Sequence, residues 1–377
     1  MTEDRISIAD PEMGQAERDR VLSILDSGRL ADGPAVREFE TAFADFCGAD
    51  HGVAVANGTA ALHAALHAVG VGDGDAVVTT PFSFVASANA VRFCGATPVF
   101  ADIDPETYTL DPDIVEATVA ARDDVEAILA VHLFGLPAPL DELAEIAAAH
   151  DVALVEDAAQ AHGATDDGDR VGTIGDIGCF SFYPTKNMTT GEGGMVVTDN
   201  PSLAERAARF TNHGRADADD HGYEHVEVGY NYRMPSVAAG IGLAQLEKLP
   251  EFTTARRRNA ERLSDALASV PAVETPVEPP GTRHVYHQYT VRCRDRDALR
   301  ESLDAAGVDT AVYYPTAIPD QPAYDGFDPD VPAARRAATE VVSLPIHPGL
   351  DEEDVARVGR TVRKHYRAVT AEGETDD

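Results

Sequence analysis

Lys186 stands in a sequence that almost avoids lysine. Of 30 basic residues only Lys186, Lys248 and Lys364 are lysines, and the rest are arginines. Lys186 follows Cys179-Phe180-Ser181-Phe182-Tyr183-Pro184-Thr185 and comes just before Gly191-Glu192-Gly193-Gly194. An amine kept in such a setting suggests a task that arginine cannot perform. A guanidinium stays protonated, whereas a partly desolvated lysine can lose its proton and form an imine with a carbonyl. Taken alone, the residue reads equally well as an ordinary surface lysine.

Two further features are of kinds that could serve the same chemistry. Val152-Ala153-Leu154-Val155-Glu156-Asp157 is an apolar strand ending in carboxylates, followed by Ala158-Ala159-Gln160. Ligands of open α/β sheets bind beyond the carboxyl ends of the strands, although an acid there, taken alone, reads first as the cap of a following helix. Asn57-Gly58-Thr59-Ala60-Ala61 is a glycine turn opening a helix. The free N–H groups and dipole of a helix start suit a phosphate, but many turns look like this one. A lysine and an acid so placed are similar to the pair that holds pyridoxal phosphate. There the lysine takes the aldehyde as an imine, and the acid keeps the ring nitrogen protonated so that the ring accepts electrons.

The elements that must position these residues alternate through the first 250 positions. Ala60-Ala61-Leu62-His63-Ala64-Ala65-Leu66 is rich in strong helix formers. Short strand-like runs follow at 76–80, 97–100, 127–131 and 152–155, with a helix-like stretch from Pro139 to His150. This alternation predicts a mostly parallel sheet covered on both faces, an α/β fold. Beyond Pro250 the pattern predicts a helix from Arg256 to Ala268 and a Pro- and Gly-rich stretch from Pro271 to Gly281. A strand at Gln288 to Arg292 and helices at 297–306 and 351–367 complete a smaller α+β region. The expected division is therefore a large domain over 1–250 and a small one over 251–377, with Ala371 to Asp377 as a disordered tail.

Composition narrows the function classes. The 65 acidic residues against 30 basic ones give a formal net charge of −35, which repels nucleic-acid backbones and anionic membranes. The acids are spread along the chain, with local peaks at Asp217, Asp219 and Asp220 and at 351–354. Together with the lysine shortage, this solvated acidic surface fits a halophilic protein, where screening offsets self-repulsion. Cys47, Cys94, Cys179 and Cys293 lie far apart and read as free thiols. His63 and His67 have a helical metal-ligand spacing, but no third ligand accompanies them, so no metal is expected. Met1-Thr2-Glu3-Asp4-Arg5 opens without an apolar segment, and no apolar run nears the roughly 18 residues of a membrane span. The expectation is a soluble cytoplasmic protein.

The motifs in order resemble the DegT/DnrJ/StrS group of sugar aminotransferases. The resemblance covers nearly the whole chain, including 28–33 before Val36-Arg37-Glu38-Phe39-Glu40 and the run Thr80-Pro81-Phe82-Ser83-Phe84-Val85-Ala86-Ser87. Most specific are Glu156-Asp157-Ala158-Ala159-Gln160-Ala161-His162-Gly163, Ser181-Phe182-Tyr183-Pro184-Thr185-Lys186, and Gly229-Tyr230-Asn231-Tyr232-Arg233-Met234. The resemblance implies fold type I pyridoxal-phosphate architecture. It implies Lys186 as the imine lysine, Asp157 as the ring-nitrogen partner and Gln160 near the ring's oxygen edge. Thr59, the Ala60 amide and Ser181 would hold the phosphate, and Phe84 would stack on the ring unless it is ordinary core. Asn231 would reach the phosphate of a neighbouring subunit, making a homodimer with shared active sites. Arg233 and His347 are weaker candidates for substrate contacts. Phe134 departs from the tyrosine of many relatives.

The implied reaction moves an amino group from an amino acid, with glutamate the expected donor, to a nucleotide-linked keto-sugar, as in polysaccharide biosynthesis. Two alternatives remain at this point. A sugar dehydratase of the same fold would carry histidine in place of the imine lysine, and a nucleotide-sugar-binding or regulatory protein would not turn over.

Overall fold

The computed structural model describes residues 5–216 and 223–373, with side chains to Arg367. The expected acidic peak at Asp217, Asp219 and Asp220 lies outside the described residues, as do the last four positions of the expected tail. Residues 371–373 continue the closing helix, so the helical pattern extends past the predicted stop at Arg367.

Eleven α-helices and eleven strands are described. The first half runs α1 (Gln15–Ser27), α2 (Pro34–Cys47), β1 (His51–Val55), α3 (Gly58–Val69), β2 (Ala76–Thr79), α4 (Ala86–Phe93), β3 (Thr97–Phe100), α5 (Pro112–Ala120), β4 (Val125–Val131), α6 (Leu140–His150) and β5 (Ala153–Asp157). The second runs β6 (Thr165–Asp166), β7 (Asp169–Arg170), β8 (Ile177–Ser181), β9 (Gly194–Thr198), α7 (Pro201–Thr211), α8 (Ser236–Leu267), β10 (Tyr289–Arg292), α9 (Arg296–Ala305), α10 (Pro332–Glu340), β11 (Val341–Leu344) and α11 (Glu352–Gly373).

Seven strands form one sheet in the order β1-β9-β8-β5-β4-β2-β3. Only β9 runs against the others, pairing antiparallel with β1 and β8. The sheet is covered on both faces, and the side-chain alternation of its strands shows how. Ile128, Ala130, Leu154, Phe180 and Val197 enter one core with Phe39 and Phe43 of α2 and Leu143 of α6. Their neighbours Ala127, Leu129, Val155, Cys179 and Val196 enter the other, against α3, α4 and α7. Strand runs that are apolar at every position are thus buried from both sides.

The C-terminal part pairs β10 with β11 and packs them on α9 and α11 around Tyr289, Val291, Leu303, Leu344 and Val358. Ile6 from the N-terminus joins this core and forms a parallel bridge with Val308. The helix expected over Arg256 to Ala268 is the second half of α8, which starts at Ser236 and carries Pro250 inside it. A continuous helix therefore crosses the expected 250/251 division. A fourth apolar cluster joins the two parts, setting Phe82, Phe100 and Phe134 against Ile318, Tyr324 and Ala334.

Candidate active site

Three pieces of backbone converge at the carboxyl ends of β5 and β8. Asp157 is the last residue of β5 and Ser181 the last of β8, and the two strands are paired with Asp157 beside Cys179. Strand alternation puts Asp157 and Ser181 on the α3 side of the sheet. The third piece is the start of α3, pressed against β8. A Cβ on Gly58 would stand 2.6 Å from the Ser181 Cβ, so only glycine allows this approach.

The cavity between them has a volume of about 760 Å³. Thr59, Ala60, Phe84, Asp157, Gln160, Ser181 and Lys186 all line it, so seven of the ten sequence-predicted site residues meet there. The other three do not. Arg233 borders a second cleft of about 620 Å³ over the edge strand β1, and its Nε–H donates to Asn231 Oδ1 at 3.0 Å. His347 is buried and absent from the lining, its carbonyl accepting from Asn259. In the single chain, then, neither expected substrate contact reaches the cavity.

Asp157 is buried, and its oxygens accept from Ser87 Oγ–H at 2.8 Å and from the Ala159 N–H at 3.2 Å. No helix follows it, since residues 158–163 are turn and coil, which removes the reading of Asp157 as a helix cap. Burial raises its pKa, opposed first by Ser87, then by Ala159 and the charge of Lys186. Among the described residues, Lys186 and His287 are the only basic side chains on the cavity wall. Its amine opens into the cavity while protein encloses it at longer range, and this burial lowers its pKa to about 8 against the pull of Asp157. An amine of lowered pKa and an acid facing one cavity are a pair suited to imine and proton-transfer chemistry.

The remaining wall orients rather than reacts. Gln160 Oε1 accepts from the Phe134 N–H at 2.8 Å, which turns the Gln160 amide nitrogen toward the cavity and Tyr314 Oη, 3.4 Å away. Phe134 supplies that N–H from a left-handed conformation, φ 58°. The Ala60 amide donates to Asn57 Oδ1 at 2.9 Å. An anion at this helix start is therefore left chiefly the Gly58 and Thr59 amides and the Thr59 hydroxyl, a shift from the expected use of Ala60. Phe84 is 56% exposed at the cavity mouth, so it is not ordinary core. Sequence reading missed Ser83, Ser87, Glu192, His287, Gln288, Tyr313 and Tyr314, which also line the cavity. Only Ser83 and Ser87 carried a signal, their four-residue spacing at a helix start.

Residues 11–363 match the DegT/DnrJ/EryC1/StrS aminotransferase family. The chain belongs to that family. Among relatives of this aminotransferase, the GDP-perosamine synthase of Caulobacter vibrioides is 40% identical over 362 residues, covering 94% of this chain and 96% of that one. The dTDP-3-amino-3,4,6-trideoxy-alpha-D-glucose transaminase of Streptomyces venezuelae is 41% identical over 355 residues, covering 93% and 92%. In three dimensions the aminotransferase superposes on S. venezuelae DesV, solved in complex with a ketimine intermediate, with a TM-score of 0.89 at 40% identity over 92% of this chain and 93% of that one. No helix among the described residues of the aminotransferase is long and apolar enough to cross a membrane.

Proposed function

We propose that this chain is a pyridoxal-phosphate-dependent aminotransferase that moves an amino group from glutamate to a nucleotide-linked keto-sugar. The observation that carries the reading is the placement of Lys186, Asp157 and the N-terminus of α3 on one cavity. Relatives named for GDP-, dTDP- and UDP-linked amino sugars support the substrate class.

The residues present fit the cofactor. Gly58, Thr59 and Ser181 would hold its phosphate, Asp157 its ring nitrogen, Phe84 a ring face and Gln160 the oxygen edge. When bound, pyridoxal phosphate supplies an aldehyde that carries the amino group and a ring that takes up electrons. Lys186 Nζ, its pKa lowered to about 8, would take the proton from the donor's α-carbon, deliver it to the cofactor carbon that receives the amino group, and run the same transfer in reverse in the second half-reaction. Asp157, buried and hydrogen-bonded, keeps its negative charge in place throughout. Because one pocket serves donor and acceptor in turn, the kinetics are ping-pong. Lys186 itself speaks against the dehydratase reading.

The active unit in this reading is a homodimer in the cytoplasm, at high salt. Asn231 lies outside the cavity of its own chain, at the end of a segment that exposes Tyr223, Val226, Val228 and Tyr230, an apolar arm suited to a second copy.

An absorption spectrum of the purified protein in high salt, before and after glutamate, tests the reading. An imine band that bleaches to the aminated-cofactor band supports it. No band after adding pyridoxal phosphate would leave a sugar-binding protein without turnover.

A further inference from the structure

Ser83 and Ser87 lie one helical turn apart at the entry to α4 and border the cavity, and the reading above gives neither a part. Both are buried, Ser83 at 4% and Ser87 at 1% exposure. Ser87 Oγ is 2.8 Å from Asp157 Oδ2, and Ser83 Oγ is 3.1 Å from Ser87 Oγ. The direction of this chain follows from donor chemistry. An ionised carboxylate only accepts, so Ser87 commits its one proton to Asp157, and the contact between the serines is Ser83 donating to Ser87. The second Asp157 oxygen is engaged by the Ala159 N–H. With one donor on each oxygen, the carboxylate cannot rotate freely, and its remaining lone pairs are left for the cavity.

We infer that Ser87 is a positioning residue for the transamination, fixing the Asp157 carboxylate toward a pyridinium N–H, with Ser83 setting the direction of the Ser87 hydroxyl. The inference rests on the pocket being a pyridoxal-phosphate site. Ser87 opposes the effect of burial on Asp157 more than Ala159, Lys186 or His132 does. The other titratable groups facing Asp157 are Tyr314 from the C-terminal part and Cys179 on β8, both pushed up by burial and uncharged. Glu156 points to the opposite face of the sheet. No other group replaces the hydroxyl, so removing it lets Asp157 take up a proton at higher pH. A protonated Asp157 no longer holds a ring nitrogen as its cation.

The test compares Ser87→Ala, Ser87→Thr and Ser83→Ala with the parent protein by pyridoxal phosphate titration from pH 5 to 9. A second readout needs no cofactor: the carboxyl infrared band of Asp157 across pH, isolated by difference against Asp157→Asn. Ser87→Ala is expected to bind the cofactor roughly tenfold more weakly. Its acid limb of binding and the Asp157 band should both move to higher pH. Ser87→Thr should match the parent, and Ser83→Ala should fall between. Unchanged affinity and an unmoved band in Ser87→Ala overturn the inference. So does an equal, pH-independent loss in the Ala and Thr variants with the band unmoved, which would mark a packing role. If the parent binds no pyridoxal phosphate, the pocket reading fails and takes this inference with it. Failure of the serine variants alone leaves that reading standing.

Discussion

Glu156 and Asp157 are adjacent in sequence and present their carboxylates to opposite faces of the sheet. Asp157 enters the cavity, while Glu156 is held by four donors beneath it. Its Oε1 accepts from the Ile174 and Gly175 amides at 2.8 and 2.6 Å, and its Oε2 from the Gly172 amide and His132 Nε2–H at 2.5 and 2.9 Å. His132 Nδ1 accepts from the Ala138 amide, which fixes the tautomer that donates to Glu156. One acid is thus available to a ligand, and its neighbour ties the 172–175 loop to β4 and β5.

Glu156→Gln should therefore damage the fold more than the chemistry. An amide NH₂ would face two of the four donors inside a fully buried site, at a cost of about 3–5 kcal/mol. Denaturant unfolding of the cofactor-free protein checks this, and a loss below about 1 kcal/mol would show that the donors relax or rehydrate.

The amine of Lys186 gives a pH dependence with a definite sign. Its pKa is lowered from 10.5 to about 8 in the folded protein. The folded state gives up this proton before the unfolded chain does. Relative to Lys186→Met, the cofactor-free protein should gain stability as pH climbs from about 8 to 10.5. Acylation of Lys186 by an amine-reactive reagent, followed by peptide mass spectrometry, should reach half its maximal rate near pH 8. A midpoint close to that of the unfolded chain would refute the enclosed amine.

Lys186→Ala should lower transamination by roughly 10²–10⁴-fold or more, because the proton carrier is gone. The folded chain should survive, since a cavity-lining amine is not part of the packed core. Turnover close to the parent rate in a coupled assay of glutamate consumption would contradict the role assigned to this residue.

Gly58→Ala tests the seat of the phosphate. Its Cβ would fall 2.6 Å from the Ser181 Cβ, forcing α3 away from β8. Such overpacking costs about 1–3 kcal/mol. The same displacement should weaken binding of pyridoxal phosphate more than binding of pyridoxal, which lacks the phosphate. Equal losses for the two ligands would put the phosphate elsewhere.

Shared sites predict complementation. Lys186→Ala and Asn231→Ala proteins, each inactive, should regain activity when unfolded and refolded together, because a mixed dimer holds one intact site. Random pairing of two chain types sets the ceiling at about a quarter of the parent value. A mixture as inactive as its components would rule out a contribution from Asn231 of one chain to the pocket of the other.

Much of the frame was legible because the sheet is buried on both sides. The runs at 127–131 and 152–155 are continuously apolar and those at 76–80 and 97–100 carry only threonines besides apolar residues, and each corresponds to a strand, β2 through β5, within a residue or two. The start of α3 was legible from Asn57 and Gly58, and Lys186 from its rarity. What escaped depends on neighbours distant in sequence. The antiparallel β9 sits between β1 and β8, a pairing that no local pattern encodes. Tyr313 and Tyr314 arrive at the cavity from the C-terminal part with no motif around them. The capture of the Ala60 amide by Asn57 depends on one rotamer, and the roles of Glu156 and Asp157 on which face of β5 meets α3.

Helix α8 bears on how this scaffold can be recombined. Its N-terminal half carries Gln245, which donates to the Glu12 carbonyl and to Glu17 and accepts from the Thr189 amide three residues past Lys186. Its C-terminal half carries Arg256, which donates to the carbonyls of Tyr286 and His287 on the far wall of the cavity. A chimera joined at residue 250, where composition changes, would give these two anchorages to different parents and set their spacing anew. Exchange points that leave the shaft in one inheritance lie before Ser236 or after Ala268. At the first place a foreign C-terminal part would bring its own α8 whole, and at the second it would meet a whole α8, so that in either case both walls of the cavity are measured by the same ruler.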